Sequence, residues 1–355
     1  MASLLKRARR AVRKVKRRLA PSIQAARSKL RSIIGTTLHP ISPAARAYRE
    51  EARKVRLMRD LRLLREYLAG RPELRLAITS AGRVDGAGGQ VLAVVSAMAF
   101  AHNHHCRYLH TPFLHIDHVE GDAAAWTRRW ETFFGLGHGE PLVPADSQMV
   151  PLERFALRIR RSPTGAIDPG LVVHALSFHY AEMAKPATLR HLMPILRAKY
   201  LSTDKSAIPV FRTADAINLA VHVRRGDVGP DDPRYMTDLP ILATIAGVRD
   251  VIDSVGRRTA IHLFSEGMPD RFQSYSALGC TLHLSTDPFE AFHNLVAADL
   301  LITTDSAFGR AAAMMSDAIA LHPTSKWGLA DRWLAYAADG TFDRAKLATL
   351  LMTSR

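Results

Sequence analysis

The sequence predicts an α/β protein built on two parallel sheets, and three observations carry that expectation. Strand-like and helix-like segments alternate from residue 74 to 110 and again, at greater length, from 217 to 322. Such alternation with right-handed crossovers gives parallel sheets covered by helices on both faces. A chain of 355 residues also exceeds what one small core serves. Finally, residues 1–66 hold 20 Lys/Arg against 4 Asp/Glu, which accounts for the whole net charge of +16, because the remainder holds 29 of each sign. The basic character belongs to an appendage, and the neutral body lacks the field of a nucleic-acid-binding domain.

The appendage comes first. Residues 1–34 contain no acid, and Leu5, Ala8, Val12, Val15 and Leu19 recur at spacings of three and four. Pro21 interrupts, and Ile23, Ala26, Leu30 and Ile33 resume the pattern. This basic amphipathic helical segment has the form expected on an anionic bilayer surface. A solvated tail, an organellar targeting peptide and nonspecific nucleic-acid contact remain open alternatives. Residues 35–43 form a linker. An amphipathic helix is predicted over 44–68, with Leu57, Leu61, Leu64 and Leu68 on one face and Gly70-Arg71-Pro72 as its stop.

A strand is expected over 74–79, then a glycine-rich loop over 82–89, a nearly all-apolar helix over 90–102 and a strand over 106–110. Residues 126–143 read as mixed helix and loop around Trp126, Trp130 and Phe134. Residues 166–197 read as helices broken by Pro186 and Pro194. The second series places strands at 218–223, 260–265, 281–284, 300–304 and 318–322, with helices at 238–254, 269–277, 288–298 and 307–317 between them. The expected division is a basic tail and linker (1–43), an N-terminal Rossmann-like domain with its leading helix (44–205) and a C-terminal Rossmann-like domain (206–355). Cys106 and Cys280 are the only cysteines and read as small buried hydrophobes of a reducing compartment. No apolar run reaches membrane-spanning length, and no secretory signal core is present, so a cytoplasmic protein peripheral to the inner membrane face is expected.

Ligands of open α/β sheets bind beyond the carboxyl ends of the strands. Three predicted strand ends carry the chemistry there. The first bears His222, Arg224, Arg225 and Asp227. Two guanidiniums suit a diphosphate, because arginine offers a fixed fork of donors. The second leaves Ser265 and Glu266 just past its strand, where an acid accepts from ribose hydroxyls or base N–H groups or is simply solvated. The third, Asp305-Ser306-Ala307-Phe308, runs from strand into helix with Ser306 at the N-cap position. Its opening amides form an anion site, although a serine that only caps the helix is the plainer reading. The chain contains no Asp-x-Asp pair of the sort that holds a cation under a sugar nucleotide. Arg83 and Asp85 sit on the glycine-rich loop with Gly88 and Gly89, placed either to touch an acceptor or to hold the loop. His102, His104, His105, His110, His115 and His118 follow no closed tetrahedral spacing, so no metal is expected from them.

Taken together, His222-Val223-Arg224-Arg225-Gly226-Asp227 resembles the first signature of fucosyltransferases that make α1,2 and α1,6 linkages, a superfamily that includes nodulation-type and protein O-fucosyltransferases. Residues 263–267 resemble its second signature and residues 299–313 its third, and Gly88-Gly89-Gln90 is similar to the helix start of the α1,2 branch. Membership would imply the GT-B fold, GDP-fucose as donor, a glycan hydroxyl as acceptor and inverting, metal-independent transfer. Arg224 would hold the β-phosphate, and Ser306 with its neighbouring amides the pyrophosphate. His222 and Glu266 would lie near ribose or guanine, with Arg225, Ser265, Asp305, Ala307 and Phe308 completing the donor side. Asp227 and Asp232 are candidate bases, the latter at a spacing that resembles the acid of the α1,6 branch; Asp231 reads rather as a loop acid. Val228 stands where the α1,2 branch carries an aromatic, and Asp305 where a second serine is usual. Another nucleotide sugar, or nucleotide or glycan binding without catalysis, are the alternatives.

Overall fold

The computed structural model describes residues 43–71, 73–74, 76–165, 167–168, 170–175, 183, 185–232, 234–324 and 330–353. The basic segment 1–34 and residues 35–42 of the linker lie outside the described residues. Helix α1 spans Pro43–Ala69. Leu61, Leu64, Tyr67 and Leu68 recur at helical spacing and are buried, and the Arg71 amide donates to the Leu68 carbonyl (2.9 Å) as the helix closes. Residues Leu57–Arg355 fold as one compact unit, and among the described residues no helix is long and apolar enough to cross a membrane.

The first sheet has four parallel strands, β1 (Ala77–Ser80), β2 (Arg107–Tyr108), β3 (Gln148–Pro151) and β4 (Leu171–Ala175), in the order β2-β1-β4-β3. Helices α2 (Ala87–Asn103), α3 (Ala123–Phe134), α4 (Leu152–Arg161) and α5 (Pro186–Leu201) connect and cover it. Three expectations change here. The strand placed over 106–110 shrinks to two residues, with His110 bridging to Leu142 instead. Part of the region 166–197, read as helix, is the central strand β4: Leu171, Val172 and Val173 are a short buried apolar run, which periodicity alone does not separate from a helix segment. Neither proline breaks α5. Pro186 is at its start, where the missing N–H is no loss, and Pro194 lies on the exposed side, where water can serve the carbonyl it leaves unpaired.

The second sheet has six parallel strands: β5 (Ala216–His222), β6 (Arg258–Ser265), β7 (Cys280–Leu284), β8 (Leu300–Thr303), β9 (Ile319–Pro323) and β10 (Trp333–Tyr336). Their order is β10-β9-β8-β5-β6-β7. The chain thus builds outward from β5 through β6 and β7, then returns to the other side of β5 for β8, β9 and β10. This is the doubly wound order, and its reversal lies between β5 and β8. Helices α6 (Asp238–Ser254), α7 (Gln273–Ala277), α8 (Pro288–Ala297), α9 (Ala307–Met314) and α10 (Arg344–Thr353) complete the layers. Strand β10 and helix α10 extend the series beyond residue 322, where the sequence pattern ended.

Strand pleating sorts the residues of β5 between two cores. Ile217, Leu219, Val221 and Val223 face α6 and α10 in one cluster, with Ile245, Val248 and Leu347. Ala220 faces the other, which runs without interruption from α1 through α2 into Phe289, Phe292 and the alanines of α9. Helix α2 packs on α9 and on β1. That double burial explains why it is apolar on nearly every side. Cys280 is buried and Cys106 half-buried, both as free thiols, and burial pushes each up to about 12.

Candidate active site

The reversal between β5 and β8 opens into a cleft of about 610 Å³. Backbone bonds bring the three strand ends level. His222 is paired with Phe264 of β6 on one side and Thr303 of β8 on the other. Past β5, the Val223 amide donates to the Phe264 carbonyl (3.1 Å), the Arg224 amide to Thr304 Oγ1 (3.3 Å) and Ser265 Oγ to the Val223 carbonyl (2.7 Å). The loop carrying the arginines is therefore tied to both neighbouring strands. Because side chains alternate, Arg224 emerges on the same face as Ala220 and His222, toward the cleft.

Two helix starts meet in this cleft. Helix α9 begins at Ala307 after Ser306, and α2 begins at Ala87 after Gly86; in neither does a side chain cap the opening amides. Ser306 is thus at the N-cap position without bonding as a cap. The two starts are in backbone contact at Gly88, where a Cβ would stand 2.5 Å from the Phe308 nitrogen and 2.6 Å from the Ala307 carbonyl carbon. Uncapped helix N-termini direct N–H groups and positive potential at an anion. The α9 turn is braced from behind: Tyr336 OH donates to the Thr303 carbonyl (2.8 Å), and Thr303 Oγ1 bonds His322 Nδ1 (2.6 Å).

Of the residues singled out from sequence, the cleft is lined by Asp85, Gly88, Gly89, His222, Arg224, Arg225, Asp227, Ser265, Glu266, Ser306, Ala307 and Phe308. Three others are not among its lining residues: Arg83, Asp232 and Asp305. Arg83 forms a bidentate pair with Asp85, with Nε donating to Oδ1 at 2.8 Å, and so holds the loop. The Asp85 carboxylate lies against Gly89, where any Cβ would collide with it. Asp232 is gripped by Arg234 through Nε (2.9 Å) and Nη2 (2.6 Å), which holds its carboxyl far below the usual carboxylate range. It is accordingly a poor base and is not aimed into the cleft. Asp305 is exposed on the turn.

The remaining groups differ in how free they are. Arg225 is nearly buried; it pairs with Asp238, donates to the Arg224 carbonyl (3.0 Å) and lies 4.4 Å over the Tyr235 ring. It shapes the loop more than it offers a fork to a ligand. Arg224 is a quarter exposed and pairs with Asp227 through Nε–Oδ1 (2.9 Å) and Nη2–Oδ2 (2.5 Å). That hydrogen-bonded pair holds the Asp227 carboxyl below its ordinary value. His222 keeps one edge toward the cleft, but its surroundings are dense: desolvation first, then the neighbouring Arg224, hold its pKa down to about 4. The ring is neutral at pH 7 and tilts against Phe308 at 5.4 Å. Glu266 lies over Gly226, where any Cβ would collide with its carboxylate.

Several lining residues were not among the site candidates read from the sequence. Trp126 and Trp130 line one wall, continuous with stacked Phe289 (3.9 Å from Trp130). Asp117, His118 and Glu120 come from the loop before α3, Arg234 from the segment before α6, and Ser285 and Thr286 from the end of β7. Their shared sequence signal was position, since each lies after a strand of a parallel series; His118 was named only within the histidine cluster. The histidines between 102 and 118 are spread among separate partners. His102 stacks on His191 (3.7 Å), His110 bonds Tyr108 (3.0 Å) and Glu131 (2.7 Å), and His115 bonds Asp117 (3.2 Å).

No family model matches the chain, and no curated protein does. Among solved structures it is similar to the fucosyltransferase NodZ from Bradyrhizobium, at 11% identity over 74% of this chain and 94% of that one, with a TM-score of 0.35. It is also similar to a variant of Arabidopsis thaliana FUT1 in complex with GDP (12%, 78% and 76%, 0.34) and to POFUT1 in complex with GDP (12%, 74% and 98%, 0.37).

Proposed function

We propose that this chain is a glycosyltransferase of the GT-B type that takes a nucleoside-diphosphate sugar, GDP-fucose, and passes the sugar to a glycan hydroxyl with inversion. One observation carries the diphosphate: two uncapped helix starts and the Arg224 guanidinium converge on a single cleft at the sheet's switch point. Preorganised N–H groups and a guanidinium can take up the charge that grows on a departing diphosphate, so a cation is not required for that task. The neutral His222 ring, Ser265, Ser285 and Thr286 offer hydrogen bonds to ribose and base, and Trp126, Trp130 and Phe308 offer apolar faces. Guanine and fucose themselves rest on the resemblance of the three motifs.

In the reaction, the acceptor oxygen bonds to the anomeric carbon as the bond to the diphosphate oxygen breaks, its electron pair leaving with GDP. The hydroxyl proton passes to a cleft carboxylate or to water. Of the carboxylates lining the cleft, Asp85, Asp117 and Asp227 are each paired with a basic side chain. A binder without turnover is the second reading, favoured by that same lack of a ready base at Asp227 and Asp232. Calorimetry with GDP, UDP and ADP, followed by release of fucose from GDP-fucose across a saccharide panel, tests both. GDP binding with transfer supports the enzyme; binding without any sugar release supports the second reading. We assign attachment to an anionic membrane to residues 1–34, checked by vesicle sedimentation of the full chain and of a chain lacking them.

A further inference from the structure

Arg224 is not waiting open-handed for phosphate. Both arms of its fork are occupied by Asp227, a residue of the same loop that lines the same cleft. A bidentate fork binds a carboxylate or a phosphate with the same two donors, so the two anions compete for it. We propose that Asp227 is a displaceable counter-ion: it holds Arg224 in the donor-free protein, the incoming diphosphate takes the guanidinium from it, and the released carboxylate then receives the acceptor proton. This rests on the diphosphate reading above and adds an order to it, donor before acceptor.

The surroundings set how the carboxylate behaves after its release. The charged groups facing Asp227 are Arg224 of its own loop, Arg234 from the segment before α6 and His118 from the loop before α3. The Arg234 fork grips Asp232, and Glu266 occupies the space over Gly226 between the two paired residues. Once Arg224 turns to the diphosphate, Asp227 loses its bidentate partner and gains an anionic neighbour. Both changes raise its proton affinity, which turns a poor base into a competent one only when donor is present.

The test uses GDP-fucose without acceptor, because a diphosphate esterified at both ends does not itself titrate near neutrality. Calorimetry at pH 5 to 6 in buffers of different ionisation enthalpy should show the wild-type chain taking up a fraction of a proton on binding. Asp227→Asn should bind with no uptake, and at pH 7 roughly two- to five-fold more tightly, since a competing ion pair of this exposure is worth about 1 kcal/mol or less. Its kcat should fall while its Kd improves, a split that a merely structural role does not give. The sign comes from linkage: wild-type affinity rises as pH falls through the donor-bound pKa of Asp227, and that of the variant stays flat. Donor binding to the wild type without proton uptake overturns the proposal even if the variant misfolds, as does unchanged or weaker binding by a folded Asp227→Asn. If no GDP-, UDP- or ADP-linked sugar binds the wild type, the donor reading falls and this proposal with it.

Discussion

The two helix starts that share the cleft are built for different tasks. At α9, the turn from Thr303 to Phe308 is held by buried hydrogen bonds from Tyr336 and His322 and faces Arg224. At α2, the loop is held instead by the Arg83–Asp85 pair and by Gln90 Nε2 donating to the Asp85 carbonyl (2.8 Å). Glycines at 88 and 89 give this start almost no side chain. The difference teaches that α9 supplies a fixed set of donors, whereas α2 supplies proximity. Its glycines let a second helix dipole approach the first until backbone touches backbone.

Arg224→Ala sharpens the α9 side most. Removing the cleft's fork for the diphosphate should lower turnover by about 10²–10³-fold, the size seen when a preorganised donor to developing charge is lost. Thermal unfolding should barely move, since the Arg224–Asp227 pair is partly solvated. Unchanged turnover would break the assignment.

Gly88→Ala tests the α2 side. The added methyl meets backbone, not a flexible side chain, so α2 and α9 must part. Overpacking of this kind costs about 1–3 kcal/mol, read as a lower midpoint in thermal unfolding together with weaker GDP binding. A variant that loses neither would show that the helix contact is incidental to the site.

Acid should weaken the α9 brace before the α2 start. Burial holds His222 down to about 4 and His322 to about 3, desolvation being the first cause for each. A depressed histidine contributes stability above its unfolded value near 6.5 and loses it as pH falls toward the folded value. The unfolding midpoint should therefore drop between about pH 6.5 and 4, by several degrees. His322→Gln, which keeps a hydrogen-bonding side chain but cannot titrate, should flatten that slope.

How much of the molecule was legible in the sequence divides in the same way. Five strands of the six-stranded sheet, β5 to β9, were readable because β-rich runs alternate with helical segments there, and the motif residues His222, Arg224, Ser265 and Ser306 all fall at or just past strand ends. The first sheet was read only in part. Strand β4 is five residues, three of them consecutive buried aliphatics, and nothing local distinguishes it from a helix turn. Pairing between β1 and β4 decides it, and that contact spans nearly a hundred residues. The site divides likewise. Arginine in a strand-end motif announces phosphate chemistry, but whether its fork is free or already held by Asp227 is a matter of geometry. Trp126 and Trp130 were read only as part of a mixed helix and loop, and they are core on one side and cleft wall on the other.

The smallest expected effect is also the one that separates spacing from structure. Asp232 lies ten residues beyond His222, the spacing that singled it out as a base, whereas the fold pairs it with Arg234 and leaves it out of the cleft lining. Asp232→Asn should leave turnover nearly unchanged and stability indistinguishable from wild type, because the pair it breaks is solvent-screened. Its main consequence would be the loss of one negative charge near the cleft edge, seen as slightly tighter binding of GDP at low salt. A collapse of kcat with donor affinity intact would instead mean that the 229–235 loop rearranges on binding and delivers Asp232 to the acceptor, and that Asp227 serves only as the counter-ion of Arg224.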